Sequence, residues 1–206
     1  MNIKKLKQAE ADFLARFPGG FADPGLERVR KSHNVDRLAD FTRSHVTEAA
    51  LSRPHAFAET LLTIISRSSM VSRFEKPPFK EFLLGLSSTE LRRLAAAFKE
   101  RLFGRKKQQG FDDIVELFAH HRLARWSLVS AVPFYLAPSK EAFVKPSTAR
   151  TIVTFLDMAE DLHYRPRPDW SFYRAYRRLI LDIKKHVDPS LTPHNAATTG
   201  FLMVSM

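Results

Sequence analysis

Apolar residues recur at steps of three and four along most of this chain, the spacing that places them on one face of a helix. In residues 2–17, Ile3, Leu6, Phe13, Leu14 and Phe17 share a face, with Lys4, Lys5, Lys7 and Glu10 around the rest. Pro18-Gly19-Gly20 stops that helix. Asp23-Pro24, a cap followed by a proline with its φ already set, opens a short helix carrying Leu26 and Val29. Asn34 is placed to cap the next, with Val35, Leu38 and Phe41 inward, and Pro54 opens a longer one with Phe57, Leu61, Leu62, Ile64 and Ile65. The polar, basic stretch Ser66–Pro78 reads as a connection, marked by Pro77-Pro78, before a short helix of Phe79, Phe82 and Leu83. Ser87-Ser88-Thr89-Glu90 is a capping-box pattern. It introduces a helix to about Phe103 with Leu91, Leu94, Ala95, Phe98 and Leu102 inside, ended by Gly104 in a left-handed conformation.

Arg105–Gly110 then reads as a flexible basic loop, and Phe111 begins a helix to about Leu123. Asp112 and Asp113 suit its N-terminal dipole, and Ile114, Val115, Leu117 and Phe118 its apolar side. Pro133, Pro138 and Pro146 break Trp126–Pro146 into short turns and loops. Ser147 is the expected cap of a helix to about Leu162, burying Ile152, Phe155, Leu156, Ala159 and Leu162. After an extended Tyr164–Pro168 link, Asp169 caps the last long helix, with Tyr173, Tyr176, Ile180, Ile183 and Val187 inward until Asp188-Pro189. Its outer arc is Arg174, Arg177, Arg178, Lys184 and Lys185. The tail Asn195–Met206 is apolar after Gly200 and docks as helix or strand. No run alternates long enough for a sheet. The expected fold is all-α, a compact multi-helix domain with proline-rich connections spanning residues 1–206, with a looser division near Gly104–Gly110 as the alternative.

Composition sharpens this picture in two ways. The 206 residues are 44% hydrophobic with 17 Phe, enough for one good-sized core, yet carry a net charge of +11. Such a charge favours polyanionic partners, nucleic acid above all, and says nothing about fold. The chain has no cysteine, which excludes disulfides, thiolate nucleophiles and cysteine metal sites and fits a reducing compartment. No uninterrupted apolar stretch near the N-terminus resembles a secretory signal, and no apolar run is long enough to span a bilayer. A cytoplasmic protein without membrane attachment is the expectation.

Two helix starts carry cationic side chains beside free backbone N–H groups, the arrangement that attracts anions. At Lys145-Pro146-Ser147-Thr148, Lys145 and Arg150 supply charge and Ser147 a hydroxyl. The alternative is that Ser147 only caps its helix while Lys145 lies in water. At Tyr164-Arg165-Pro166-Arg167-Pro168-Asp169, alternate arginines in an extended segment point the same way, and Arg174, Arg177 and Arg178 follow on the helix. Tyr173 and Tyr176 fall on the apolar stripe, which favours core over base stacking. Arg105, Lys106 and Lys107 either extend the patch or are a solvated connector.

Glu116 and His120, with Asp112 a turn earlier, share a helical face and offer an acid/base pair or two metal ligands. A third ligand would come from Asp157, Asp161 or His163; a surface charge pair is the simpler reading. Phosphate-binding glycine loops, the dinucleotide fingerprint and the nucleophile elbow are all missing. The all-α body and basic face are loosely similar in layout to the helix-hairpin-helix DNA glycosylases, with Lys145, Asp157 and Asp161 where catalytic groups would be sought. Their glycine-containing hairpin is absent, and no residue carries over. The reading is a protein that binds DNA or RNA through phosphate contacts of Lys145, Ser147, Arg150, Arg165, Arg167, Arg174, Arg177 and Arg178. It needs no cofactor, metal or catalytic residue. The alternatives are a DNA- or RNA-processing enzyme of glycosylase, lyase or nuclease type, and a helical adaptor that grips an acidic protein.

Overall fold

A computed structural model describes residues 1–206, and every regular element in it is helical. The α-helices are α1 (Ile3–Arg16), α2 (Glu27–His33), α3 (Val35–His45), α4 (Pro54–Arg67), α5 (Lys76–Gly85), α6 (Ser88–Leu102), α7 (Lys107–His120), α8 (Trp126–Leu136), α9 (Pro146–Phe155), α10 (Trp170–His186) and α11 (Asn195–Ser205). Short 3-10 turns at Gly20–Ala22, Pro24–Leu26, Ala50–Ser52 and Pro189–Leu191 join some of them. No helix is long and apolar enough to cross a membrane.

Several helix starts follow the chemistry written in the sequence. Ser87 and Glu90 form a reciprocal box: the Ser87 hydroxyl accepts from the Glu90 amide at 3.3 Å, and the Glu90 carboxylate accepts from the Ser87 amide at 2.8 Å. The Asp169 carboxylate caps α10 by accepting from the Phe172 amide at 2.8 Å. Asp23 caps its turn by accepting from Gly25 at 2.8 Å, and the chain then runs on into α2.

The centre of the molecule is α8, the segment expected to be broken. Ten of its eleven residues are buried, and Pro133 sits inside it. A helix apolar all round shows no one-sided stripe, and packing from every direction holds it together across the proline. Its few polar groups reach other elements. Trp126 Nε1 donates to the Arg165 carbonyl at 2.7 Å, and the Ser127 hydroxyl donates to Glu75 at 2.6 Å. The Ser130 hydroxyl accepts from the Val144 amide at 2.9 Å, and Tyr135 meets Ser68 at 2.9 Å. Around α8 a single cluster of 53 buried residues draws on all the long helices.

Further differences from the sequence expectations each have a local cause. Asn34 does not cap α3 with its side chain; it adopts a left-handed conformation (φ 44°) that ends α2 and starts α3 in one residue. Pro77-Pro78 belong to the first turn of α5, where a missing N–H costs nothing. Gly104 is not left-handed; a Cβ there would lie 2.3 Å from Glu100 Cδ, so its value is room for that carboxylate. Lys107–Gly110 are helical, so α7 begins a turn earlier and Asp112 and Asp113 fall beyond its first turn. This brings Gly110 against α6, where a Cβ would sit 2.3 Å from the Arg101 amide nitrogen. α9 starts at Pro146 with Lys145 in the cap position, so Ser147 is not the cap, and it ends at Phe155 instead of Leu162. Asp157 (φ 56°) turns the chain there, accepting from Asn2 Nδ2 and Lys5 Nζ, both at 2.7 Å, and Ala159 is exposed. The tail is the helix α11, packed on α1, with the Phe13 and Phe201 rings 6.0 Å apart.

Candidate functional site

The eight residues singled out in the sequence divide among three environments. Arg150 projects from the first turns of α9 over the Tyr164 ring, 5.4 Å from its centre. Tyr164 in turn packs edge-on against Phe172 of α10 at 5.5 Å, and the Arg165 carbonyl is fixed by Trp126. Arg150, the link bearing Arg165 and Arg167, and the start of α10 therefore form one neighbourhood. Arg174 and Arg178, four residues apart and so on one helical face, are both exposed on α10. None of Arg150, Arg165, Arg167, Arg174 and Arg178 has a carboxylate within 4.0 Å.

Arg177 belongs to a different environment. Its Nε donates to the Lys140 carbonyl at 2.6 Å and lies 3.6 Å from Glu141. Glu141 is the hub of a buried network. Arg101, only 2% exposed, bonds it through Nη2 at 2.9 Å, and the Tyr173 hydroxyl donates to the same oxygen at 2.7 Å. The Arg101 guanidinium also lies 5.2 Å from the Trp170 ring and 5.1 Å from that of Tyr173. Burial pushes the Glu141 carboxyl up, but the guanidinium beside it outweighs burial and holds it below the usual carboxylate range. These groups hold the loop before α9 onto α6 and α10, with Arg101 Nε left as the one member of the network without a partner.

Lys145 and Thr148 face a third environment, a cleft of about 750 Å³ between α2, α3, the start of α9 and α11. The backbone amides of Ser147 and Thr148, in the first turn of α9, have no intramolecular acceptor. His33 Nδ1 lies 2.9 Å from the Ser69 hydroxyl on the cleft wall. Burial first, and then the Lys145 ammonium, hold the His33 imidazole below its ordinary pKa. His194, the cap of α11, accepts from the Ala197 amide through Nδ1 at 3.0 Å. Burial lowers its pKa as well, with Asp36 opposing and Lys184 and His33 assisting. Leu26, Val29, Phe21, Met203 and Val204 line the apolar part. Sequence reasoning reached Lys145 but missed His33 and His194, which stand 112 and 49 residues from it and share no local spacing. Pro193-His194 before a small-residue helix start was the one available signal.

Glu116 and His120 approach to only 3.9 Å, with their side chains 62% and 68% exposed, the geometry of a loose surface pair. No group of three or more His, Asp or Glu side chains comes together to hold a metal ion. Comparison with protein-family models, with curated proteins and with solved structures finds no match to this chain.

Proposed function

We propose that this protein binds nucleic acid through the phosphate backbone, using Arg150, Arg165, Arg167, Arg174 and Arg178. The observation that carries the reading is a set of five exposed arginines without carboxylate partners, with Arg150 over Tyr164 beside the link that bears Arg165 and Arg167, in a chain of net charge +11. Guanidinium groups pair with phosphates in a forked geometry, and several along one path release counterions when they engage a polyanion. Tyr173 and Tyr176 are buried and serve the core, so base stacking is not part of the reading, and contact with phosphates alone gives affinity without sequence preference. Lys145 lines the cleft and is left out of this surface. Arg177, whose Nε donates to the Lys140 carbonyl and lies 3.6 Å from Glu141, is left out of the reading.

The test is fluorescence anisotropy with unrelated DNA and RNA duplexes and single strands across a salt titration. A double Arg165→Ala/Arg167→Ala variant is expected to weaken binding to all of them alike and to flatten the log–log salt slope by about two units, close to one for each lost phosphate contact. Arg178→Ala flattens it by about one, whereas Arg177→Ala lowers stability and leaves the slope unchanged. Unchanged affinity and slope in a normally melting double variant would refute the surface. Loss of an acidic protein partner in its place would establish the adaptor, and product formation from these nucleic acids would establish an enzyme.

A further inference from the structure

We infer that the cleft along α11 is a binding site for a single-chain amphiphile with an anionic headgroup. It is separate from the arginine surface and does not rest on it. The cleft's volume, about 750 Å³, falls within the range of small-molecule pockets, and its lining divides into two ends. One end holds Lys145, His33 and His194; the other is mostly apolar, with Leu26, Val29, Phe21, Met203 and Val204, and its Arg30 is tied to the Phe21 and Asp23 carbonyls. α11 runs the length of it, from its cap His194 to Val204, a span of about 15 Å at 1.5 Å per residue.

Each end asks for the matching half of such a ligand. At the polar end Lys145 and His33 disfavour each other's charge, as do His33 and His194, and Asp36 is the only carboxylate on the wall. An anion seated among these groups is attracted by the ammonium and relieves that mutual repulsion. At the apolar end Val29, Met203 and Val204 are each at least 40% exposed, and a hydrocarbon chain along α11 would cover all three. A carboxylate or phosphate without a chain would leave that wall in water, and a chain without a charge would leave Lys145 unmatched. Arg30 also lines the cleft, but its guanidinium is bonded to the Phe21 and Asp23 carbonyls, so Lys145 is the cation left without a partner. One such charge beside an apolar wall selects a linear amphiphile over a compact anion.

Isothermal titration of the full chain with dodecanoate, kept below its micelle concentration, tests this directly. Dodecanoate is expected to saturate at one per chain, to bind at least tenfold more tightly than dodecyltrimethylammonium, and to lose about fourfold in affinity for each methylene removed. Acetate and inorganic phosphate are expected to show no saturable binding. Lys145→Ala should abolish the discrimination between the two headgroups, weakening dodecanoate and leaving the cationic amphiphile no weaker than before. Val29→Glu, at an exposed position that does not threaten folding, should weaken dodecanoate at least tenfold. Equal affinity for the two headgroups, non-saturating uptake, or indifference to both substitutions would overturn the proposal. So would a cleft that stays closed to dodecanoate because a second copy of the chain occupies it, seen as a concentration-dependent dimer that Val29→Glu dissociates.

Discussion

Arg101 and Glu141, forty residues apart in the chain, meet as a buried ion pair with Nη2 2.9 Å from Oε2. Removing one partner strands the other's charge in the core, which typically costs about 3–5 kcal/mol. Arg101→Met and Glu141→Leu should therefore each destabilise strongly, while the double substitution recovers much of the loss; urea unfolding of the three variants measures this. The pair also sets a pH dependence. Glu141 titrates lower in the folded chain than in the unfolded one, so its stabilisation is complete above the ordinary carboxylate range and is lost as pH falls through the folded value.

Two tyrosines one turn apart on α10 should respond in opposite ways to loss of the hydroxyl. Tyr173 donates to Glu141 at 2.7 Å, whereas the Tyr176 hydroxyl is fully buried with no hydrogen-bond partner. Burial pushes both phenols well above their ordinary pKa, so neither ionises in the working range. Tyr173→Phe is expected to cost about 1–2 kcal/mol, because it removes a bond to a charged acceptor. Tyr176→Phe discards an unpaired polar group and should be neutral or stabilising. Equal losses in thermal melts would contradict the assignment of both hydroxyls.

The cap of α11 should titrate. His194 holds the Ala197 amide with the lone pair of Nδ1, so protonation both removes the acceptor and places a positive charge at the helix N-terminus. Its folded pKa is lowered, by burial first, with Lys184 and His33 acting the same way and Asp36 opposing. Below about pH 6.5 the unfolded chain takes up a proton that the folded chain refuses. Stability therefore falls as pH drops from there to the folded value and levels off beneath it. His33, lowered by burial and by Lys145, adds a change of the same sign. His194→Asn supplies a cap that does not titrate, and its melting temperature should fall less between pH 7 and pH 5 than that of the natural chain.

Where the sequence could be read, one side of a helix faced the core and its cap was local. Ser87 with Glu90, and Asp169 with Phe172, were of this kind, and they formed as expected. α8 could not be read because it is buried on every side, so its apolar residues carry no period and its proline looked like a break. The start of α9 misled for another reason: a proline at the first helical position moves the cap back to Lys145, whatever Ser147 offers. Of the cationic residues, the sequence separated inward from outward on α10 but could not show that Arg177 Nε donates to the Lys140 carbonyl, a contact 37 residues away. The cleft was hidden for the same reason, since its basic groups, Arg30 and His33 on one side and Lys145 and His194 on the other, lie more than a hundred residues apart in the chain.

The packing of α1 on α11 sets the order in which a growing chain can mature. Leu6, Ala9 and Phe13 of α1 are made well before the surfaces that cover them, which belong to α10 and α11. At about 5–20 residues per second, synthesis of 206 residues takes roughly 10–40 seconds. Through most of that time the amphipathic face of α1 has no native partner, while α3, α4, α6 and α8 can already assemble. α1 is thus made long before it is sealed, and a ribosome that stalls before α10 leaves a nascent chain with the apolar face of α1 uncovered, a natural target for chaperones or proteases.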